Sequence, residues 1–128
     1  MEKSRNVRVR SFQFAIDVVA FARVFGSRDP VLRRLAYQLV DAAGSVGANL
    51  QEAAEGQSKR DLIAKNCIAL KEARESRFWL LLIAAAETSL KDRVRPLAGE
   101  AGELVAMLVA VVKTARSNPG RGKKMTPN

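Results

Sequence analysis

The sequence predicts an all-α protein: an antiparallel, up-down-up-down four-helix bundle with a long third helix. Alanine, leucine, arginine, glutamate and lysine dominate the 128 residues, apolar residues recur at helical spacing, and the alternation typical of β-strands is almost absent. A chain of this length buries roughly two-thirds of its unfolded surface, which is enough for a self-sufficient core. Short connections predict that consecutive helices pack antiparallel.

The first two helices are predicted from apolar spacing and from their end signals. Helix one, residues 11–25, carries large apolar side chains at i, i+4, i+7 and i+11, and Gly26 follows it as a stop. Helix two, residues 30–55, begins with Asp29 as a plausible N-cap and Pro30 at the first helical position.

Helix two also contains Gly44 and Gly47. Each glycine costs about 1 kcal/mol relative to alanine inside a helix, so its presence needs a reason. The two interpretations are a break near residue 44 and close backbone packing. We favour close packing.

Helix three is expected over residues 58–89 and helix four over residues 94–116. Ser58 and Asp61 form a variant of the capping box at the start of helix three, whose expected length is close to 50 Å at about 1.5 Å per residue. The run 104–112 is apolar on every side, which predicts that part of helix four contacts another subunit.

The net charge of +9 is concentrated at the two ends of the chain. We expect a basic N-terminal arm over residues 1–10, the bundle over residues 11–116, and a disordered basic C-terminal tail over residues 117–128. The predicted topology brings both ends to the start of helix three and forms one positive pole. Basic arms commonly contact polyanions, although the tails could instead serve solubility or dock an acidic partner. The hypothesised nucleic-acid contacts are Arg5, Arg8, Arg10, Lys59, Arg60, Arg121, Lys123 and Lys124.

Further cations occupy the opposite pole. Arg33 and Arg34 stand near the start of helix two, and Arg93 and Arg95 near the start of helix four. The helix macrodipole disfavours cations at these positions, so they have no stabilising explanation there. A solvated run of charge is the plain alternative for any one pair.

The composition argues against catalysis and metal binding. There is no histidine, and the single Cys67 excludes a structural zinc site and an intramolecular disulfide. We therefore predict no catalytic, cofactor-binding or metal-binding residues, no enzymatic activity, and a cytoplasmic protein in which Cys67 is a small core residue. The longest apolar runs have nine residues, well short of the roughly 20 that span a bilayer, so no membrane partner is expected. Trp79 is interpreted as core or subunit packing, with base stacking as the alternative.

The central segments carry a family resemblance. They are residues 45–56 (SVGANLQEAAEG), 58–61 (SKRD) and 68–80 (IALKEARESRFWL), and they resemble bacterial four-helix-bundle proteins related to the ribosomal RNA intervening-sequence proteins. The resemblance implies an antiparallel bundle that assembles as a five-subunit ring. Relatives that serve as accessory proteins of diversity-generating retroelements bind nucleic acid and a reverse transcriptase through basic surfaces. The resemblance implies no enzymatic activity.

A polar stripe lies within the most specific of these segments. Ser45, Asn49 and Glu52 recur at i, i+4 and i+7, and neighbouring small residues permit a close approach of helix three. We hypothesise a structural polar network with Lys71 and Arg74 that fixes helix register or a subunit contact, because a buried carboxylate needs a cationic or hydrogen-bonded partner.

The expected function is therefore that of a non-enzymatic homo-oligomer, a homopentamer by family resemblance. In one hypothesis it is a nucleic-acid-binding accessory protein that contacts RNA or DNA, and a reverse transcriptase or other protein, through the basic pole. In the alternative it is a protein–protein interaction scaffold without nucleic-acid binding.

Overall fold

The computed structural model describes residues 2–56 and 58–117, with side chains from Asn6 onward. Within these ranges the chain forms four α-helices and no strand. The predicted all-α fold of four helices is therefore confirmed. The helices are α1 (Glu2–Phe25), α2 (Pro30–Ala54), α3 (Lys59–Ala86) and α4 (Lys91–Arg116), with a 3-10 turn at Thr88–Leu90 between the last two.

The helices pack around one apolar core. The main packing partners of both α1 and α3 are α2 and α4, so α1 and α3 occupy opposite corners of the bundle. Side chains that are at most 1% exposed come from all four helices and include Phe14, Phe25, Leu39, Leu80 and Leu104. This arrangement leaves one side of each helix facing outward, and those sides carry the surfaces described below.

The first helix is longer than the sequence analysis predicted. It begins at Glu2, nine residues before the predicted start at Ser11, so residues 2–10 of the predicted arm are helical. Val7 is 1% exposed and lies seven residues before Phe14, which continues the buried face of the helix by two turns. The polar, basic composition around Val7 concealed this continuation. The predicted tail lies outside the described residues from residue 118 onward.

The predicted N-caps are confirmed. The Asp29 carboxylate accepts a hydrogen bond of 2.9 Å from the backbone N–H of Leu32, and Pro30 occupies the first position of α2. The Ser58 hydroxyl accepts one of 3.1 Å from the N–H of Asp61. Each cap satisfies a backbone donor that the helix itself leaves free.

The connection between α3 and α4 differs from the prediction. α3 ends at Ala86 rather than near Ser89, and at about 42 Å for 28 residues it is shorter than predicted. The 3-10 turn then places Leu90 in the core at 2% exposure. α4 consequently begins at Lys91, three residues before the predicted start, and Pro96 lies inside the helix. Its predicted end at Arg116 is confirmed.

Candidate assembly surfaces

An open groove runs between α1 and α2. It has a volume of about 820 Å³. α1 contributes apolar walls and α2 contributes a floor of small residues. The lining residues are Arg8, Val9, Phe12, Gln13, Ala15, Gly44, Gly47, Ala48 and Gln51.

The two glycines of the groove are not explained by packing within the chain. α2 is continuous through both positions, which excludes the predicted break near residue 44. A Cβ atom built on Gly44 or Gly47 meets no atom within 4 Å. No close packing within the described chain involves them, because these glycines face the open groove, and the favoured prediction of close backbone packing stays a prediction. Each glycine still lowers helix stability by about 1 kcal/mol relative to alanine, and no close contact at these positions within the described chain offsets that loss.

The outward side of α1 is apolar. Phe12 is 69% exposed, Val9 63%, Ile16 46% and Val19 39%. Their spacing of i, i+3, i+7 and i+10 places them on one stripe, away from the buried stripe of the same helix. We call these four residues the α1 stripe. This second stripe was not predicted, although its helical spacing is readable in the sequence, because the inward face of α1 dominates the apolar pattern.

A second apolar surface lies at the opposite corner of the bundle, on α3. Phe78 is 56% exposed, Leu81 43% and Leu82 37%. We call these three residues the α3 patch. Phe78 packs edge-on against Trp79 with ring centroids 5.1 Å apart, and Trp79 packs partly against the core. Trp79 thus supports the patch from beneath, in agreement with its interpretation as a packing residue.

Arg10 forms the most elaborate polar contact of the described residues. Its guanidinium donates to both carboxylate oxygens of Glu100 at 3.0 and 2.6 Å, to Glu103 at 2.7 Å and to the sulfur of Met107 at 3.4 Å. These hydrogen bonds, first that to Glu100 and then that to Glu103, raise the pKa of Arg10 above its usual value. Arg10 thus joins α1 to α4, and its contact with nucleic acid stays a prediction.

Comparison with known proteins identifies the family. The family model described as "23S rRNA-intervening sequence protein" matches residues 3–110. The chain belongs to this family. A solved protein of unknown function from the S23 ribosomal protein family of Bacteroides thetaiotaomicron is 29% identical, with a TM-score of 0.79 over 87% of this chain and 98% of that chain. No curated protein matches the chain.

The family segment on α2 does not form the predicted polar network. Asn49 donates its side-chain amide to the backbone carbonyl of Ser45 at 2.8 Å, a bond within one helix. Glu52 pairs with Lys65 at 2.7 Å rather than with Lys71 or Arg74. This hydrogen bond, and then the charge of Glu52, raise the pKa of Lys65. Sequence spacing placed Glu52 opposite α3 correctly, but it did not give the level at which the two helices meet.

Lys71 and Arg74 lie on other parts of the surface of α3 and do not pair with Glu52. Lys71 is exposed, and Arg74 lines a shallow depression of about 480 Å³ between α3 and α4 with Leu70, Val109, Val112, Lys113, Arg116 and Ser117. Within the part of the chain that the structure describes, neither residue makes a side-chain hydrogen bond or ion pair. Glu72, next to Lys71, has its pKa raised by burial and then by the charge of Glu75.

Other predicted contacts are placed as follows. Arg8 lines the groove and is half-buried, and its Nε has no hydrogen-bond partner among the described residues. Lys59 is half-buried and Arg60 is exposed in the first turn of α3. The side chain of Arg5 and the tail residues lie outside the described residues, including Arg121, Lys123 and Lys124.

Cys67 is half-buried rather than fully internal, and the Arg116 guanidinium donates to its sulfur at 3.3 Å. The prediction of a small core residue therefore holds only in part. Among the residues described, no group of three or more acidic or cysteine side chains could hold a metal ion. None of the described helices is long and apolar enough to cross a membrane.

Proposed function

We propose that this protein is a non-enzymatic scaffold that assembles with copies of itself. The observation that carries the proposal is the presence of two separate exposed apolar surfaces, the α1 stripe with its groove and the α3 patch. Contiguous exposed apolar surface is typical of protein interaction sites. The open glycine floor adds a second reason, because glycine permits the close approach of another backbone.

The placement of the two surfaces favours a ring. They lie on helices at opposite corners of the bundle and differ in form, since the α1 stripe borders a groove with a floor of small residues, whereas the α3 patch is a cluster of three large apolar side chains. Contact between two unlike surfaces is heterologous, and a heterologous contact closes into a ring when the rotation between copies permits it. The resemblance stated above supplies the number of five subunits, and the lone half-buried thiol suits a cytoplasmic assembly.

We further propose that the bundle is antiparallel. Glu52, near the end of α2, pairs with Lys65, near the start of α3. Arg116, at the end of α4, contacts Cys67 of α3. These pairs support an arrangement in which the ends of α2 and α4 lie beside the start of α3.

Binding of nucleic acid is a second candidate function. The net charge of +9 and the number of exposed cations that lack an ion pair support it, because Lys and Arg contacts to phosphates dominate affinity for nucleic acid. A reverse transcriptase or another protein partner stays an expectation of the family resemblance. The scaffold proposal does not depend on either partner.

Charge substitutions on the apolar surfaces test the scaffold proposal. Phe12→Glu in the α1 stripe and Phe78→Glu in the α3 patch should each convert the assembly to single subunits, measured by light scattering coupled to size-exclusion chromatography. Val31→Glu is the matched control, because Val31 is as exposed as Phe12 at 69% but lies outside both surfaces. A wild-type protein that is monomeric at high concentration would overturn the proposal, as would full assembly of both variants.

A further inference from the structure

The end of the bundle opposite to the predicted basic pole carries a cluster of exposed cations. Arg28 lies in the connection between α1 and α2, and Arg33 and Arg34 lie in the first two turns of α2. Three more cations lie in the first two turns of α4. The full set is Arg23, Arg28, Arg33, Arg34, Lys91, Arg93 and Arg95, and all seven are exposed. We call these residues the cationic end.

Contacts at the other end of the bundle support a common location for these residues. The Glu52–Lys65 pair and the contact of Arg116 with Cys67 bring the ends of α2 and α4 to the start of α3. Because the three helices have similar lengths, the starts of α2 and α4 lie at the same far end of the bundle, on either side of α1, which packs against both. The cationic end therefore forms one surface drawn from three helices and a turn.

These cations are almost free of partners. Within residues 6–56 and 58–117, only Arg95 of the seven forms a side-chain ion pair, at 3.5 Å to Asp92. The other acidic groups at this end are engaged, since Asp29 caps α2 and Glu87 accepts a hydrogen bond from Ser89. Beside the start of α3, in contrast, Lys65 pairs with Glu52 and Arg116 contacts the thiol of Cys67.

Stability does not explain the positions of these cations. Lys91 and Arg93 stand in the first turn of α4, where the positive end of the helix macrodipole repels them. Asp92 is the one acidic residue in the first turn of α4, and α2 has none in its first turn beyond its N-cap, Asp29. Only Arg23, in the last turn of α1, is favourably placed. Cations retained at a cost in helix stability indicate a ligand that carries negative charge.

We propose that the cationic end binds the phosphate backbone of a nucleic acid. This inference rests on the second function proposed above and moves its site away from the predicted pole. Six of the seven cations are arginine, whose planar guanidinium matches a phosphate with two parallel hydrogen bonds. A membrane surface fits less well, because it favours several large apolar anchors next to basic residues. Phe12 and Phe78 each lie at least two turns from the helix ends that form this surface, which leaves Tyr37, one turn along α2 from Arg33 and Arg34, as the neighbouring exposed aromatic residue. Val24 and Val31 are the exposed apolar residues here.

The test compares two variants of the full chain that each lose four positive charges. One carries Arg28→Gln, Arg33→Gln, Arg34→Gln and Arg93→Gln. The control carries the same change to glutamine at four cations outside this surface, which are Arg60, Lys71, Arg74 and Lys113. The readout is fluorescence anisotropy of labelled single-stranded RNA and DNA of one sequence at several salt concentrations.

The cationic-end variant should bind roughly tenfold or more weakly than the control, and each lost phosphate contact should flatten the log–log salt dependence by about 0.7–0.9. RNA and DNA should bind with similar affinity, because the phosphates are common to both. The melting temperature of the cationic-end variant should not fall below that of the wild type, since Arg93→Gln removes the repulsion between a cation and the positive end of the α4 macrodipole.

Three results would overturn the inference while leaving nucleic-acid binding in place. The first is an equal loss of affinity in the two variants, and the second is a loss of affinity only when residues 118–128 are deleted. The third is binding to RNA alone or to DNA alone. If the wild-type protein binds neither RNA nor DNA at low salt, or binds only anionic lipid vesicles, the second function itself fails. The self-assembly proposal is unaffected by any of these outcomes.

Discussion

Replacing Gly44 and Gly47 with alanine should change folding and assembly in opposite directions. Both glycines lie inside the continuous α2, and an added Cβ meets no atom within 4 Å. Alanine is favoured over glycine in a helix interior by about 1 kcal/mol, so the double substitution should stabilise one subunit by about 2 kcal/mol. For a chain of this length the thermal midpoint would rise by roughly 6–12 °C. The added methyl groups also occupy the groove floor, so self-assembly should weaken.

Two measurements separate these effects. Urea unfolding in a Phe12→Glu background, where the subunits are expected to be dissociated, gives the stability of the single bundle. Native mass spectrometry without that background gives the assembly state. Gly99→Ala is the matched control, because an added Cβ on Gly99 in α4 also meets nothing within 4 Å. It should stabilise the subunit by about 1 kcal/mol and leave assembly unchanged. Full assembly of the double variant would refute the role of the groove.

Two further substitutions test contacts within the bundle. Burial, and then the charge of Glu75, raise the pKa of Glu72. Folding therefore disfavours the ionised carboxylate, and the variant Glu72→Gln should melt at a higher temperature than the wild type at neutral pH. The difference in melting temperature should shrink as the pH falls through the raised pKa and vanish below about pH 4. A difference that stays the same across a pH series of thermal melts would contradict the role of Glu72 ionisation. Arg10→Ala should lower the free energy of unfolding in urea by about 1 kcal/mol, because it removes the bridge to Glu100 and a neighbouring carboxylate, although solvent screens this half-buried cluster. Arg23→Ala, which removes an exposed cation from the same helix, should change it little.

Local signals in the sequence were sufficient for most of the fold. The caps at Asp29 and Ser58 and the proline at the start of α2 act within three or four residues, and the structure confirms all of them. The start of α1 was missed although Val7 continues the apolar spacing of the helix. Charged neighbours were given more weight than that single buried side chain.

The candidate surfaces were harder to predict because they depend on contacts between distant residues. The partner of Arg10 lies 90 residues away, and no spacing rule connects them. The glycine pair was recognised as needing an explanation, but a sequence does not distinguish close packing within a chain from an open surface. The cations near the starts of α2 and α4 are readable in the sequence, whereas only the structure shows that Arg33, Arg34 and Arg93 form no ion pair with the described residues and that Arg95 pairs with Asp92.

The two-sided apolar character of α1 has a consequence for the behaviour of the protein at low abundance. One stripe of the helix is satisfied by the core and the other is exposed in the lone subunit. If copies cover the exposed stripe, association stabilises the folded state by mass action. The melting temperature would then rise with protein concentration, and a dilute subunit would be both less stable and more prone to aggregate than an assembled one.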